Sequence, residues 1–158
     1  YDNEVDNLII WYEGSPFWYP QNVDAKLKGL EITGNFDTWF IHHTVVAEFK
    51  DHKDSAGNKL AKRADENYKW LMDASYEDFD VNLTYTYTGD RAGNPKETTD
   101  PDNILPSVSL WDVSVGYWIS PELVVRGRVD NLTNEKYQTT LGYNAPERRY
   151  FANLAYQF

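Results

Sequence analysis

The chain has no cysteine and only one methionine in 158 residues. Without cysteine there is no disulfide framework and no thiolate metal site. Long apolar runs are missing as well. Nothing approaches the ~18 consecutive apolar residues of a membrane helix, and the mean hydropathy is −0.67. That excludes a helical span but not a barrel, whose strands turn only alternate residues toward lipid. Basic charge is scarce: 15 Lys and Arg stand against 25 Asp and Glu, a net charge of −10. A nucleic-acid partner, which needs a basic footprint, is not expected. Helical periodicity is absent too. Residues 56–66 offer one possible helical turn, but Gly57 and Asn58 favour a loop. Residue 1 is Tyr rather than Met, with no signal peptide before it, so a processed chain or a fragment is expected.

What the chain does have is aromatic residues, 16% in all, with 12 Tyr and 6 Trp. They fall into a period of two. Val81, Leu83, Tyr85 and Tyr87 alternate with Asn82, Thr84, Thr86 and Thr88, the pattern of a half-buried strand. Trp111, Val113, Val115 and Tyr117 alternate with Asp112, Ser114 and Gly116, and Tyr68, Trp70, Met72, Ala74 and Tyr76 repeat the pattern. Further strands are read at 5–12, 23–36, 39–49, 123–130 and 150–158. In the second of these the phase changes at Gly29, which suggests a β-bulge or a close backbone approach. The expected fold class is all-β: an antiparallel meander of about eight strands, with residues 1–158 as one unit.

The expected connections alternate long and short. Residues 13–22, 50–66, 89–106 and 133–149 read as long; 34–38, 77–78 and 120–122 read as tight turns. Outer-membrane barrels pair long extracellular loops with short periplasmic turns, a rhythm that a soluble up-and-down barrel has no reason to keep. Phe36, Trp39, Phe40, Tyr76, Phe79, Tyr117, Trp118, Tyr156 and Phe158 gather near the short turns. Trp11, Tyr12, Trp18, Tyr19, Tyr137, Tyr143 and Tyr150 lie toward the long loops. Two such groups predict the two aromatic belts of a membrane-crossing sheet.

The last strand places Tyr150, Ala152, Leu154, Tyr156 and Phe158 on one face. Tyr150, Leu154, Tyr156 and the final Phe158 resemble the C-terminal signal of bacterial outer-membrane barrels. That implies the outer membrane as location, its lipid and lipopolysaccharide as surroundings, and the barrel-assembly machinery as a partner. Three segments extend the likeness: Val108–Tyr117 (VSLWDVSVGY), Val125–Tyr137 (VRGRVDNLTNEKY) and Leu141–Arg149 (LGYNAPERR). With Asp78–Asp80 before a strand, they resemble TonB-dependent outer-membrane receptors, and among these the branch that imports vitamin B12 (cobalamin). The resemblance implies a parent of about 22 strands whose C-terminal third this chain matches. It also implies that the plug, the TonB box and the acidic calcium loops lie elsewhere in that parent. TonB would act only through the missing part, and cobalamin would be a transported ligand rather than a bound cofactor.

No catalytic constellation emerges, and no Gly-x-Ser-x-Gly elbow occurs, so an enzyme is not expected. His42 and His43 point to opposite faces of a strand and cannot share a metal; no metal site is expected. The acidic residues at 51, 54, 65 and 66, and at 100 and 102, fit no compact calcium loop and read as solvated. Asn82 and Asn131 match the glycosylation pattern but read as strand polars. Arg126, Arg128 and Asp130, with Asp112, read as a cross-strand charge network. Binding is the better prospect: a large amphipathic ligand needs aromatic surface and a few donors in a concave mouth. Trp18, Tyr19, Tyr143, Lys62, Arg63 and Arg91 lie in or beside the long connections. The resemblance adds that Tyr143 stands where cobalamin receptors place a ligand-contacting tyrosine. It puts Lys62 where they carry an arginine, whose fork geometry lysine lacks. A receptor for another chelate, such as a ferric siderophore, a small closed outer-membrane barrel and a soluble binding barrel stay open at this point.

Overall fold

The computed structural model describes residues 1–13, 17–94 and 101–158. Its strands are β1 (Asp2–Glu13), β2 (Trp18–Thr38), β3 (Ile41–Asp54), β4 (Glu66–Tyr76), β5 (Phe79–Thr88), β6 (Arg91–Ala92), β7 (Ile104–Leu105), β8 (Val108–Ser120), β9 (Leu123–Asp130), β10 (Gln138–Thr140), β11 (Tyr143–Asn144) and β12 (Arg149–Tyr156). A 3₁₀ turn, Pro101–Asn103, is the only helical element among the described residues. The eight long strands form one antiparallel sheet in the order β1-β2-β3-β4-β5-β8-β9-β12, while β6–β7 and β10–β11 are separate two-stranded pairs inside long connections. No helix among the described residues is long and apolar enough to cross a membrane, a test that does not bear on strands.

The period of two fixes the register. Along β4 and β5, Tyr68 pairs with Tyr87, Trp70 with Tyr85, Met72 with Leu83 and Ala74 with Val81. Val81, Leu83 and Tyr85 then meet Val115, Val113 and Trp111 of β8. This face continues through Val125↔Leu154 and Gly127↔Ala152 at one end and Ile32↔Ala47 and Leu30↔Phe49 at the other. A one-residue slip would turn the whole apolar face over, so pairing is tightly specified. The opposite face is polar and cross-linked: Asn82 donates to Asp73, Ser75 to Asp80 and Thr44 to Asn35. His42 lies on the polar side against Asp37, at 2.6 Å. His43 lies on the apolar side, stacked on Phe36 at 4.7 Å, where its Nδ1 accepts the Trp70 indole N–H. That pairing lets an imidazole sit in an otherwise apolar face.

Large apolar side chains stay exposed on this face: Ile32 is 53% exposed and Leu154 67%. A sheet with one such face needs an apolar medium against it. Of the buried apolar residues, Ala25 and Val124 belong to the sheet, and the other four, Leu60, Ala64, Ala92 and Leu105, lie in the long connections; Leu105 is only 1% exposed.

Several local expectations change. The turn placed at 34–38 is strand; β2 runs on to Thr38 and the reversal falls at Trp39-Phe40, with Trp39 at φ 58°. The connection placed at 13–22 is mostly ladder, since Glu13 pairs with Trp18. Gly29 carries no bulge: β2 and β3 pair without interruption through Gly29↔Lys50. It does meet a close approach, because a Cβ there would fall 2.5 Å from the Tyr1 ring. The register shift lies across the hairpin in β1, between Val5 and Leu8, where Asn7 takes φ 58° and its N–H bonds to Asp24.

The belt at the short-turn end is continuous in places: Phe40 lies 5.6 Å from Tyr76, and Phe79 4.8 Å from Tyr117. The other belt is made by Phe49, Tyr68 and Tyr87, in ring contact at 5.8 and 5.5 Å. Trp18 and Tyr19 do not belong to it. From Leu30 to Trp18 the strand runs about 40 Å at its usual rise, so the β1–β2 hairpin stands well beyond the apolar band. The sheet does not close: β1 and β12 are its two edges. The reading of a small barrel closed from its own eight strands is not supported.

Candidate functional site

Three long connections build one end of the molecule. Residues 55–65 are tied to the β6–β7 segment by the Lys62 N–H bonding to the Ala92 carbonyl at 2.7 Å. Within that segment the Gly93 N–H bonds to the Asn103 carbonyl, and the Asn103 side chain bonds to both N–H and C=O of Asn94. The third connection joins through Arg91, whose Nη2 donates to the Gln138 carbonyl at 3.3 Å. Lys62 takes φ 62°, which turns its side chain out of the local run.

Two adjoining cavities lie here and share Lys62 and Arg63. One, about 240 Å³, is walled mainly by apolar groups, among them Ile10, Trp11, Trp18 and Leu60. The other, about 330 Å³, is polar, with Lys50, His52, Asn67, Thr88 and Arg91 around Lys62 and Arg63. Lys50 is ion-paired with Glu48. Lys62, Arg63 and Arg91 have no carboxylate within ion-pair distance among the described residues.

His52 sits between these cations, on the part of β3 that rises past the apolar band. Arg63 Nη1 donates to its Nδ1 at 3.3 Å, and Nε2 lies 2.7 Å from the Tyr1 hydroxyl. Burial, then the charges of Arg63 and Lys50, hold its pKa below the usual imidazole value. The ring is neutral, with Nδ1 as acceptor. Lys59, on the same connection, is raised chiefly by its hydrogen bond to Asp65.

Of the six residues expected to bind, the structure therefore brings together four: Trp18, Lys62, Arg63 and Arg91. Tyr19 pairs with Tyr12 on the hairpin, outside both cavities. Tyr143 is 73% exposed on the β10–β11 hairpin and also lies outside both. Trp11 and His52 were not singled out as ligand residues. Trp11 reads as a belt aromatic in sequence, and only the bulge in β1 and the docking of 55–65 against the hairpin reveal its place.

A third concavity, about 500 Å³, lies on the polar face of β5, β8, β9 and β12. Here Arg128 and Arg149 bind the two oxygens of buried Asp130, at 2.5 and 3.0 Å, and both lie over the Phe151 ring. Arg126 stands 4.0 Å from Asp80. The expected charge network is present, but Asp112 serves it differently, accepting the Asn131 N–H at 2.8 Å. Asn131 is buried, its side chain bonded to both backbone groups of Glu135, and Asn82 is held by Asp73.

A profile of the "TonB dependent receptor-like, beta-barrel" family matches residues 1–132. The chain belongs to the TonB-dependent receptor β-barrel family. The vitamin B12 transporter BtuB of Vibrio vulnificus (strain CMCP6) is 87% identical to it over all 158 residues, which cover 26% of that protein. BtuB of Vibrio cholerae is 36% identical, again over the full chain and 26% of the relative. Among solved structures, the copper transporter OprC superposes with a TM-score of 0.82 at 14% identity, over 99% of this chain and 27% of that one. The siderophore receptor PirA of Acinetobacter baumannii gives 0.72 at 20%, over 99% and 28%. These two share the fold alone. The chain spans about a quarter of the relatives it matches. As a TonB-dependent receptor barrel it is a section of bacterial outer-membrane wall, eight strands wide, and its apolar face is the lipid face.

Proposed function

We propose that this chain is the C-terminal part of the barrel of an outer-membrane receptor that binds vitamin B12 and imports it with energy delivered through TonB. The observation that carries this is the 87% identity to a vitamin B12 transporter along the whole chain, loops included. The geometry agrees. Apolar and cationic cavities share a wall at the end where the long connections gather, and a corrinoid needs both kinds of surface. Trp18, Lys62, Arg63 and Arg91 line that mouth; Tyr143, exposed on its hairpin, becomes a contact when ligand bridges to it. The long connections face outside the cell, the short turns face the periplasm, and the plug that couples to TonB is supplied by the rest of the receptor against the polar face. Tyr150, Leu154, Tyr156 and Phe158 present the signal read by the barrel-assembly machinery. Lipid and lipopolysaccharide surround the apolar face. The chain has no catalytic role.

The test is equilibrium binding of cyanocobalamin to the full-length receptor in detergent. Binding at or below micromolar ligand is expected. Tyr143→Ala should weaken it roughly tenfold, about 1–2 kcal/mol for one aromatic contact, while Tyr85→Ala on the lipid face should leave it unchanged. No binding to the parent at micromolar ligand would remove the assignment.

A further inference from the structure

Just beyond the apolar band, the outer side of the sheet carries two successive rows of charge that follow different rules. β2 and β3 pair without interruption from Ala25 to Thr38, so every second residue keeps one face. Leu30 and Phe49 end the apolar run. Lys28 and Asp51, then Lys26 and Lys53, follow on the same side. In the nearer row Asp2, Lys28 and Asp51 stand opposite one another on β1, β2 and β3, with alternating sign, as favourable cross-strand charges do. In the next row Lys26 stands opposite Lys53, and Lys53 opposite Lys59 of the connection that follows. Three lysines lie abreast, in a chain with only 15 basic residues against 25 acidic ones. Like charges directly opposite each other destabilise a ladder.

Nearby carboxylates relieve this only in part. Glu4 pairs with Lys26 at 3.1 Å, Asp51 with Lys53 at 2.9 Å, and Asp65 with Lys59. All three pairs are exposed, and exposed pairs are weak and readily exchanged. Each ammonium also has three donors, more than one carboxylate oxygen uses. A further anion laid across the row would offset the repulsion.

We propose that Lys26, Lys53 and Lys59 form a docking surface for the phosphorylated headgroup of lipopolysaccharide in the outer leaflet. Position argues for this occupant. The row faces the lipid side of the wall, not the barrel interior. Lys26 lies four residues past Leu30, about 13 Å along the strand. The aromatic belt of Phe49, Tyr68 and Tyr87 marks the end of the apolar band, and in an outer membrane anionic headgroups stand just past that belt. Lysine stems are long enough to bend back toward them. Leu30 and Phe49, 57% and 38% exposed, lie directly beneath and offer apolar surface to the acyl chains of the same molecule. A soluble anion would meet the lysines but leave that surface uncovered. The proposal rests on the outer-membrane location, not on which ligand is transported.

Native mass spectrometry of the full-length receptor in detergent tests it. Bisphosphorylated lipid A, the same lipid A after phosphatase treatment, and phosphatidylglycerol would be titrated against the parent and against Lys26→Gln, Lys53→Gln and Lys69→Gln. Lys69 is on the polar face, opposite Val46 and Thr86, so its replacement removes the same charge from the other side of the wall. Heat-modifiable mobility checks that each variant is folded. The parent should hold the bisphosphorylated form more tightly than the other two lipids. Lys26→Gln and Lys53→Gln should each weaken its binding about fivefold, the effect of one lysine near an anionic surface, and Lys69→Gln should leave it unchanged. Equal retention of the three lipids by the parent, equal losses in Lys53→Gln and Lys69→Gln, or an equally lysine-dependent affinity for phosphatidylglycerol would each overturn the surface. Cyanocobalamin binding is a separate measurement, and its failure in the parent would remove the transport reading alone.

Discussion

His52 shows how one side chain reports the field around it. It is packed by β2, by residues 55–65 and by its own strand, and the charged groups facing it are Arg63, Lys50, Asp65 and Asp51, with the Tyr1 hydroxyl. Its folded pKa lies below the unfolded value, near 6.5. A depressed folded pKa gives a stabilisation that is complete above the unfolded value and is lost as pH falls. Protonation would set an N–H at Nδ1 against the Arg63 guanidinium that now donates there. Lowering the pH from 7.5 to 5.5 should therefore loosen residues 55–65. Hydrogen exchange at the Leu60 amide, which bonds to the His52 carbonyl, would follow it. His52→Gln keeps an acceptor and a donor without titrating, and its exchange should be nearly flat across that range. An unchanged pH response in the variant would place the effect elsewhere. Sequence shows a histidine at 52 without a neighbouring cysteine and nothing more, because Arg63 and Tyr1 reach it only through loop docking and strand pairing.

Strands were legible wherever two different media act on their faces. Alternation between apolar and polar residues is imposed one residue at a time along 81–88 and 111–117, and both stretches pair as expected. Their ends were less legible. β2 continues through Asn35-Phe36-Asp37-Thr38, a stretch with turn-forming residues, because each finds a partner on β3. The β6–β7 and β10–β11 pairs went unread, since two or three residues are too few for a period to show. At this scale the last strand gives a test. Leu154 and Asn153 are neighbours in β12, one on the lipid face opposite Val125 and one opposite Arg126. In the full-length receptor, Leu154→Arg should destabilise the barrel by roughly 2 kcal/mol, as cations do on the lipid face of a barrel strand. Asn153→Arg should cost well under half of that. Urea unfolding in lipid vesicles measures both. Phe158 adds a kinetic counterpart: its replacement by Ser should reduce heat-modifiable barrel in outer-membrane fractions more than Gln157→Ser does. Equal effects at 157 and 158 would remove the signal reading of the final aromatic.

On the scale of the whole molecule, the governing fact is a sheet with two edges. β12 pairs only with β9, and β1 covers β2 only from Trp18 to Lys28, so β12 and the 30–38 stretch of β2 each leave one side of their backbone without ladder partners among the described residues. In lipid such groups have no water to turn to, and each unmade bond there costs several kcal/mol. In a complete receptor the neighbouring strands of the barrel meet that need, and the 26% coverage of the relatives leaves ample chain to do so. The 158-residue chain alone has two ways out: curling until β1 meets β12, or adding copies edge to edge. The first is opposed by the geometry. β1 lies along Trp18–Lys28 of β2, beyond the apolar band, whereas Tyr150 of β12 stands across the sheet level with Phe36, so β1 and β12 lie at different heights and cannot pair along their lengths without a large shift of register. Association is the expected outcome. In detergent the isolated chain should form dimers and larger species whose share rises with concentration, as measured by light scattering coupled to size exclusion. Addition of the complementary remainder of the receptor, expressed as a separate chain, should suppress them and restore a single heat-modifiable species. A concentration-independent monomer that retains the β content of the sheet would contradict this and show that the edges are satisfied within one copy.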